Sequence, residues 1–356
     1  PHVKWATSVA RVRDLEPAVQ KALDLAQSGV PGPVFVECPL DLLYDEGLVR
    51  DMYGAKAAQG SSPSLCESVL AAYLHRHVNQ LFEGAQDVEV SEPVASSAPS
   101  PSGREIRRAA SYLGAARRPV LMVGSQALLE NGRVGELATA VERLGIPVYL
   151  SGMARGLLGA NHPLQLRHQR RKALRQADLV LLAGVPCDFR LDYGRQISGK
   201  ARLISVNRSA VEVSKNRRPS LGAVADPGLF LVRLAQREMA ANAWSDWLST
   251  LRERDLERER EIARHAEATT EHLNPISFLR SVEAALPDES VLVVDGGDFV
   301  ATASYVVSPR SPLSWLDPGV FGTLGVGAGF ALGAKLCRPE AEVWLLYGDG
   351  SCAYSL

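Results

Sequence analysis

The chain has 356 residues, more than one compact domain usually holds, so two or three domains are expected. Its 39 basic residues nearly balance 40 acidic ones, which leaves no global argument for nucleic acid or an anionic membrane surface as partner. Five scattered cysteines (Cys38, Cys66, Cys187, Cys337, Cys352) without a CxxC pair argue against a zinc site or disulfide framework and fit a reducing environment.

In chain order, the apolar spacing of Leu15, Val19, Ala22, Leu23 and Ala26 predicts a helix over Leu15–Gln27, stopped at Gly29. A short buried-type strand follows between prolines, within 32–39. One helix and one strand need a sheet, and that sheet is expected upstream of Pro1, which is not an initiator methionine. Residues 51–103 read as a linker, with a candidate helix over Leu65–Phe82 and a stretch rich in Ser, Pro and Ala over 90–103.

From Arg104 the pattern turns to alternating strands and helices. Strands are predicted over 118–124, 145–150, 178–184 and 201–207, with helices over Val134–Leu144 and Leu229–Ala241. Continuous apolar strands of this kind argue for a parallel sheet covered on both faces. Leu251–His265 is densely charged and reads as a solvated connecting helix. A second α/β unit opens at Pro275 with a helix over Ile276–Ala285. The strand Ser290–Asp295 then ends in Asp295-Gly296-Gly297. A glycine-rich helical stretch spans 321–335, and the strand Glu342–Tyr347 delivers Gly348-Asp349-Gly350-Ser351. No apolar run approaches the ~18 residues that span a bilayer.

The last turn has a chemical logic. Ligands of open α/β sheets bind beyond the carboxyl ends of the strands. Glycines let the backbone approach phosphate oxygens and present N–H groups. Asp349 supplies a hard oxygen suited to Mg²⁺, which takes one or two carboxylates together with phosphates. A bare Asp-Gly turn is usually structural. Its place after a strand, downstream of a second acidic, glycine-ended strand, is what raises it to a candidate site.

The order DGG, GTLGVGAGFALGAK and then a strand into GDGS resembles the diphosphate-binding domain of thiamine-diphosphate (ThDP) enzymes of the acetolactate synthase group. Four further segments are similar to the family's middle domain, in the same order: RRPVLMVGSQALLENG, GIPVYLSGMARGLLGANHPL, ADLVLLAGVPCDFR and ARLISVNRSAVEVSKN. The opening AVQKALDLAQSGVPGPVFVECPLDLL is similar to the end of its pyrimidine-binding domain. The resemblance implies a parallel-sheet α/β, three-domain architecture truncated at both ends. Its parts are a pyrimidine-domain remnant (1–50), the linker (51–103), a central doubly wound domain (104–241), a connecting helix (242–274) and the first part of the diphosphate domain (275–356).

The resemblance also implies site residues. Asp349 would be the Mg²⁺ ligand, and the backbone of Gly350 and Ser351 would touch the diphosphate. Gly297 would stand beside it, where the neighbouring Asp298 allows only backbone contact. Gly322 would offer its carbonyl to the aminopyrimidine, Thr323 follows it in the cofactor segment, and Leu324 would wedge beneath the cofactor, a volume-conserving change from the family's Met. Ordinary core packing is the plainer reading of Leu324. The family's catalytic Glu and its second metal ligand, an Asn, would lie upstream of Pro1 and beyond Leu356, so this stretch alone is expected to lack turnover.

In the central domain, Leu166-Arg167-His168-Gln169-Arg170-Arg171-Lys172 stands where the family has a glycine-rich loop, and Asp188-Phe189-Arg190-Leu191-Asp192 keeps its RFDDR only in part. These departures count against FAD. A basic cluster at a sheet's carboxyl edge suits phosphates, so ADP or CoA is one reading and a solvated basic face the other.

The activity implied is ThDP- and Mg²⁺-dependent carbon–carbon cleavage of a 2-hydroxyacyl-CoA to an aldehyde and formyl-CoA, as in the family's acyl-CoA branch. Acetolactate-type ligation of 2-keto acids, a non-catalytic truncated isoform and a nucleotide-binding module of transhydrogenase type are the alternatives. The last would leave GDGS unexplained. A homo-oligomer, and an endoplasmic-reticulum anchor preceding Pro1, are implied by resemblance alone.

Overall fold

The computed structural model describes residues 2–57, 65–92, 97–237 and 244–355. The chain divides into two compact units, 1–98 and 99–356. In the first, β1 (Ala6–Ser8) pairs in parallel with β2 (Phe35–Glu37), and α1 (Leu15–Gln27) connects them. The strand between prolines therefore has a partner inside the chain. Two helices follow, α2 (Glu46–Ala57) and α3 (Leu65–Phe82). Arg50 ties them by donating to Asn79 Oδ1 at 2.8 Å. The stretch 51–103 thus carries folded helices, and within it 58–64 and 93–96 lie outside the described residues. Among the described residues of this stretch, 83–84, 88–92 and 97–102 run without a regular element.

The second unit opens with α4 (Gly103–Gly114), started by a capping box in which Ser102 and Glu105 satisfy each other's backbone N–H groups. In order come β3 (Pro119–Val123), α5 (Val134–Leu144), β4 (Val148–Leu150), β5 (Gln165–Leu166), α6 (Arg170–Gln176), β6 (Leu179–Ala183), β7 (Arg202–Asn207), α7 (Ala210–Val213), β8 (Leu221–Val224) and α8 (Pro227–Ala235). The strands form one all-parallel sheet of order β5-β4-β3-β6-β7-β8. Counted from β3 this is the doubly wound order 3-2-1-4-5-6, whose direction reverses between β3 and β6. Every residue of β3 and β6 is buried, because both faces of the sheet are covered. At the reversal the two strands continue into Gly124 and Gly184. A Cβ on Gly124 would stand 2.5 Å from the Gly184 carbonyl oxygen, so nothing larger fits there.

Helix α8 begins at Pro227 rather than Leu229, because Asp226 caps it by accepting from Leu229 N–H and proline suits the first turn. It ends at Ala235; the expected remainder runs into 238–243, outside the described residues. Asp226 also pairs with Arg208 at 2.8 Å, and both side chains are almost fully buried. Arg208 reaches Glu130 as well, at 2.6 Å.

Helix α9 (Ser245–Glu267) is the charged segment, and it is more than a solvated connector. Trp247 donates to the Pro119 carbonyl at 3.0 Å, which fastens the helix to the start of β3. Trp247 and Leu251 enter the core of the central sheet, and Ile262 enters the next one. That next core is built from α10 (Pro275–Ala285), β9 (Ser290–Asp295), α11 (Gly297–Val306), β10 (Trp315–Leu316) and β11 (Glu342–Tyr347), and α12 (Gly327–Cys337) and α13 (Asp349–Ala353) complete the unit. Its sheet is parallel, in the order β10-β9-β11. Among the described residues no helix is long and apolar enough to cross a membrane.

Replacing Asp226 by Ala removes a helix cap and the more deeply buried of the two carboxylates paired with Arg208. A loss of about 3–5 kcal/mol is expected in denaturant unfolding of the second unit. A loss below 1 kcal/mol would show that Glu130 alone satisfies Arg208.

Candidate cofactor site and an arginine-lined cavity

Strands β9 and β11 are neighbours with Tyr347 opposite Asp295, so both carry their following turns to one sheet edge. This register brings together the two glycine motifs that the sequence holds far apart. Their packing is tight. Gly296 has φ 95°, and a Cβ there would lie 2.5 Å from Ser351 Oγ. The third motif locks onto the same edge. Gly325, at φ 86°, would place a Cβ 2.5 Å from Tyr354 Cβ, and its carbonyl accepts from Ser355 Oγ at 2.8 Å. Asp295 accepts from Gly325 N–H at 3.0 Å and from Gly327 N–H at 2.9 Å.

The structure places the expected residues as follows. Gly348-Asp349-Gly350-Ser351 is the start of helix α13 rather than a free turn: Gly348 is its cap, and Cys352 N–H makes its first bond, to the Gly348 carbonyl. Gly350 and Ser351 lie ahead of that bond, where N–H groups have no acceptor inside the helix and can serve an anion. Asp349 and Gly350 are exposed. Ser351 is buried with its hydroxyl against Gly296, so its backbone is what it offers a ligand. Gly297 is exposed at the first position of α11, with Asp298 beside it. Gly322 closes a turn at φ 60° with open space around it, and Thr323 and Leu324 are exposed. Leu324 therefore stands at the surface of this edge rather than in a core.

These features fit a diphosphate with a divalent cation. Open glycines border the edge, first-turn N–H groups are available, and the exposed carboxylate of Asp349 stands in the turn after β11, with that of Asp298 beside Gly297. Among the described residues no group of three or more His, Cys, Asp or Glu could cage a metal. Asp349 would therefore hold a divalent cation only together with ligands from phosphate and water.

A second feature lies where the central sheet meets the diphosphate unit. A cavity of about 450 Å³ is lined by Arg155, Arg167, Arg170, Arg171, His168 and Tyr305, among others. The expected basic stretch supplies three of these arginines. Gln169, at φ 54°, turns the chain so that α6 starts with Arg170 at the cavity. Arg155 donates to the Ser304 carbonyl at 2.7 Å and lies 5.4 Å from the Trp315 ring centre. Arg167 donates to Ser308 Oγ at 2.5 Å and to the Val307 carbonyl at 2.9 Å. Arg170 donates to the Arg190 carbonyl at 2.8 Å.

These partners are neutral. Among the described residues neither Arg155 nor Arg170 has a carboxylate at ion-pair distance, and Arg167 has only Glu259 at 3.8 Å. Burial pushes the Arg155 guanidinium down to about 10 and lowers Arg167 and Arg170 as well. Positive charge is therefore partly desolvated and under-compensated here, as an anion site requires.

The loop itself is held by α9: Asp255 accepts from the backbone N–H groups of Arg167 and His168 at 3.0 and 2.6 Å, and Glu259 meets His168 Nε2 at 2.7 Å. Sequence reasoning missed Arg155, Asp255 and Glu259 as site residues. Arg155 sits in the GMARG segment, and an acidic pair one helical turn apart on α9 was the only other signal.

Residues 106–234 match the central domain of thiamine pyrophosphate enzymes, and residues 295–356 match their C-terminal TPP binding domain. The whole chain is 47% identical to human "2-hydroxyacyl-CoA lyase 2" and 44% identical to that of Caenorhabditis elegans, of which it spans 57% and 56%. Over 72% of its length it is 36% identical to an acetolactate synthase large subunit of Mycobacterium tuberculosis, of which it spans 46%. In fold it is similar to the thiamine diphosphate-dependent 4-hydroxybenzoylformate decarboxylase of Rhodococcus jostii RHA1. The TM-score is 0.67 at 22% identity, covering 99% of this chain and 59% of that one. With both domains matched and its motifs interlocked at one sheet edge, the chain belongs to the thiamine pyrophosphate enzymes, with acetolactate synthases among its more distant relatives.

Proposed function

We infer that the protein cleaves a 2-hydroxyacyl-CoA between its first two acyl carbons, giving an aldehyde one carbon shorter and formyl-CoA, with ThDP and Mg²⁺. The arginine-lined cavity carries this reading. A CoA thioester brings phosphate groups that need such a cavity, whereas a small 2-keto acid brings a single carboxylate. The identity over the whole chain to proteins named 2-hydroxyacyl-CoA lyase 2 supports it.

Bound ThDP supplies the electron sink for breaking the carbon–carbon bond. The chain's own residues hold and orient. Asp349 would hold Mg²⁺, while the backbone of Gly350, Ser351 and Gly297 would meet the diphosphate. Gly322, Thr323 and Leu324 would border the cofactor's rings. Arg155, Arg167 and Arg170 would hold the phosphates of CoA or of an ADP-type nucleotide. FAD carries a diphosphate too, so what counts against it is the loop at 166–172 and the partly kept segment at 188–192, not the three guanidinium groups.

The direct test supplies a 2-hydroxyacyl-CoA and, separately, pyruvate to the full protein with ThDP and Mg²⁺. An aldehyde with formyl-CoA from the first is expected; acetolactate from the second, with no cleavage of the first, would sink the proposal. Asp349→Ala removes a charged ligand worth about 1.5–3 kcal/mol, so ThDP affinity measured at fixed Mg²⁺ should fall about 10- to 100-fold. Because Asp349 is exposed, the melting temperature without cofactor should hardly move.

Arg170→Ala should raise the KM for the acyl-CoA about tenfold or more while leaving ThDP affinity unchanged. An unchanged KM would make the cavity a structural feature. In equilibrium titration CoA should bind and FAD should not, and Arg170→Ala should weaken only the CoA isotherm.

A further inference from the structure

We propose that Asp295 is the positioning residue of the cofactor segment: its buried carboxylate sets where Gly322, Thr323 and Leu324 stand without touching a ligand itself. The link to cofactor rests on the function proposed above; the link to the segment's geometry does not.

Asp295 ends β9 and is 1% exposed. A carboxylate so placed is costly unless its oxygens are bonded. One of them accepts from two N–H groups, those of Gly325 and Gly327, which lie 30 and 32 residues further along the chain. The other oxygen is buried with no hydrogen-bond partner among the described residues. A side chain retained for packing alone would carry no such unsatisfied atom. The cost is explained by what the first oxygen does.

Gly327 is the first residue of α12 and Gly325 directly precedes its cap. The carboxylate thus caps the helix from a neighbouring strand, at the end where negative charge is favoured. The contact has no slack, since a Cβ on Gly327 would stand 2.8 Å from Asp295 Cβ. Upstream of this anchor, Gly322 closes its own turn by donating to the Gly319 carbonyl, and 322–324 are exposed. The exposed residues are therefore suspended between a local turn and the Asp295 clamp. The clamp decides the direction of the carbonyl at Gly322 and of the Leu324 side chain.

The test compares Asp295→Ala with Asp295→Asn, which keeps one acceptor oxygen. Amide hydrogen exchange is followed in peptides covering 319–327 and, as control, in those covering β9 and β11. ThDP affinity at saturating Mg²⁺ is measured on the full protein well below its unfolding temperature. In Asp295→Ala, exchange across 322–327 is expected to rise about tenfold or more while the strands keep their protection, and the ThDP Kd should rise by a similar factor. In Asp295→Asn both should stay within about threefold of the parent, because the retained oxygen can still accept both bonds.

Unchanged exchange in Asp295→Ala would overturn the proposal, as would equal loosening of β9 and β11, which marks a packing role. If the alanine variant does not fold, Asp295→Leu, which fills the space without an acceptor, is read by the same criteria. Should the parent protein itself bind no ThDP, the functional reading fails, and the exchange comparison still decides the role of Asp295.

Discussion

The site depends on one register. Because Tyr347 lies opposite Asp295, two parallel strands end level, and the turns that follow them meet at a single edge. Everything placed there is fixed by backbone approach at distances only glycine permits: Gly296 against Ser351, Gly325 against Tyr354 and Gly327 against Asp295. A one-residue slip would exchange the faces of β11 and carry Asp349 away from the glycines of β9. The edge is therefore an assembly of three sequence segments, none of which forms a site alone.

The arginine cavity follows a different rule. Its cations are held by neutral acceptors, mostly backbone carbonyls, so their positions are defined while their charge is not consumed. The carboxylates of α9 act one step back, on the backbone of the loop and on His168. This division explains why a densely charged helix is needed in a chain of nearly neutral net charge. It orders the basic loop while meeting only Arg167 among its cavity arginines, through a long 3.8 Å contact to Glu259. It also contributes to both cores, through Trp247 and Leu251 in one and Ile262 in the other.

Much of this is legible in the sequence where burial dictates composition. The apolar runs of β9 and β11 and the spacing of α1, α3 and α5 mark those elements to the residue; β9 is buried throughout and α5 buries one clear face, whereas α1, α3 and β11 leave much of their apolar surface exposed or half-exposed. What escaped lacks that signal. Ala6-Thr7-Ser8 is too short and polar to read as a strand, yet it pairs with β2. Gln165-Leu166 is a two-residue strand at a sheet edge. Gly-Asp-Gly reads as a break, although a helix start tolerates these residues as its first turn. Arg155 and the acidic pair on α9 acquire meaning only from tertiary contacts that join residues 88 and 149 positions apart.

We propose that the β9–β11 edge holds ThDP–Mg²⁺ and that Arg155, Arg167 and Arg170 hold CoA phosphates. The most direct measurement is an experimental structure of the full protein with ThDP, Mg²⁺ and a non-cleavable acyl-CoA analogue. The metal is expected on Asp349, the diphosphate against Gly350 and Ser351, and CoA phosphates on the three arginines. CoA phosphates bound elsewhere, with the arginine cavity filled only by water, would contradict it.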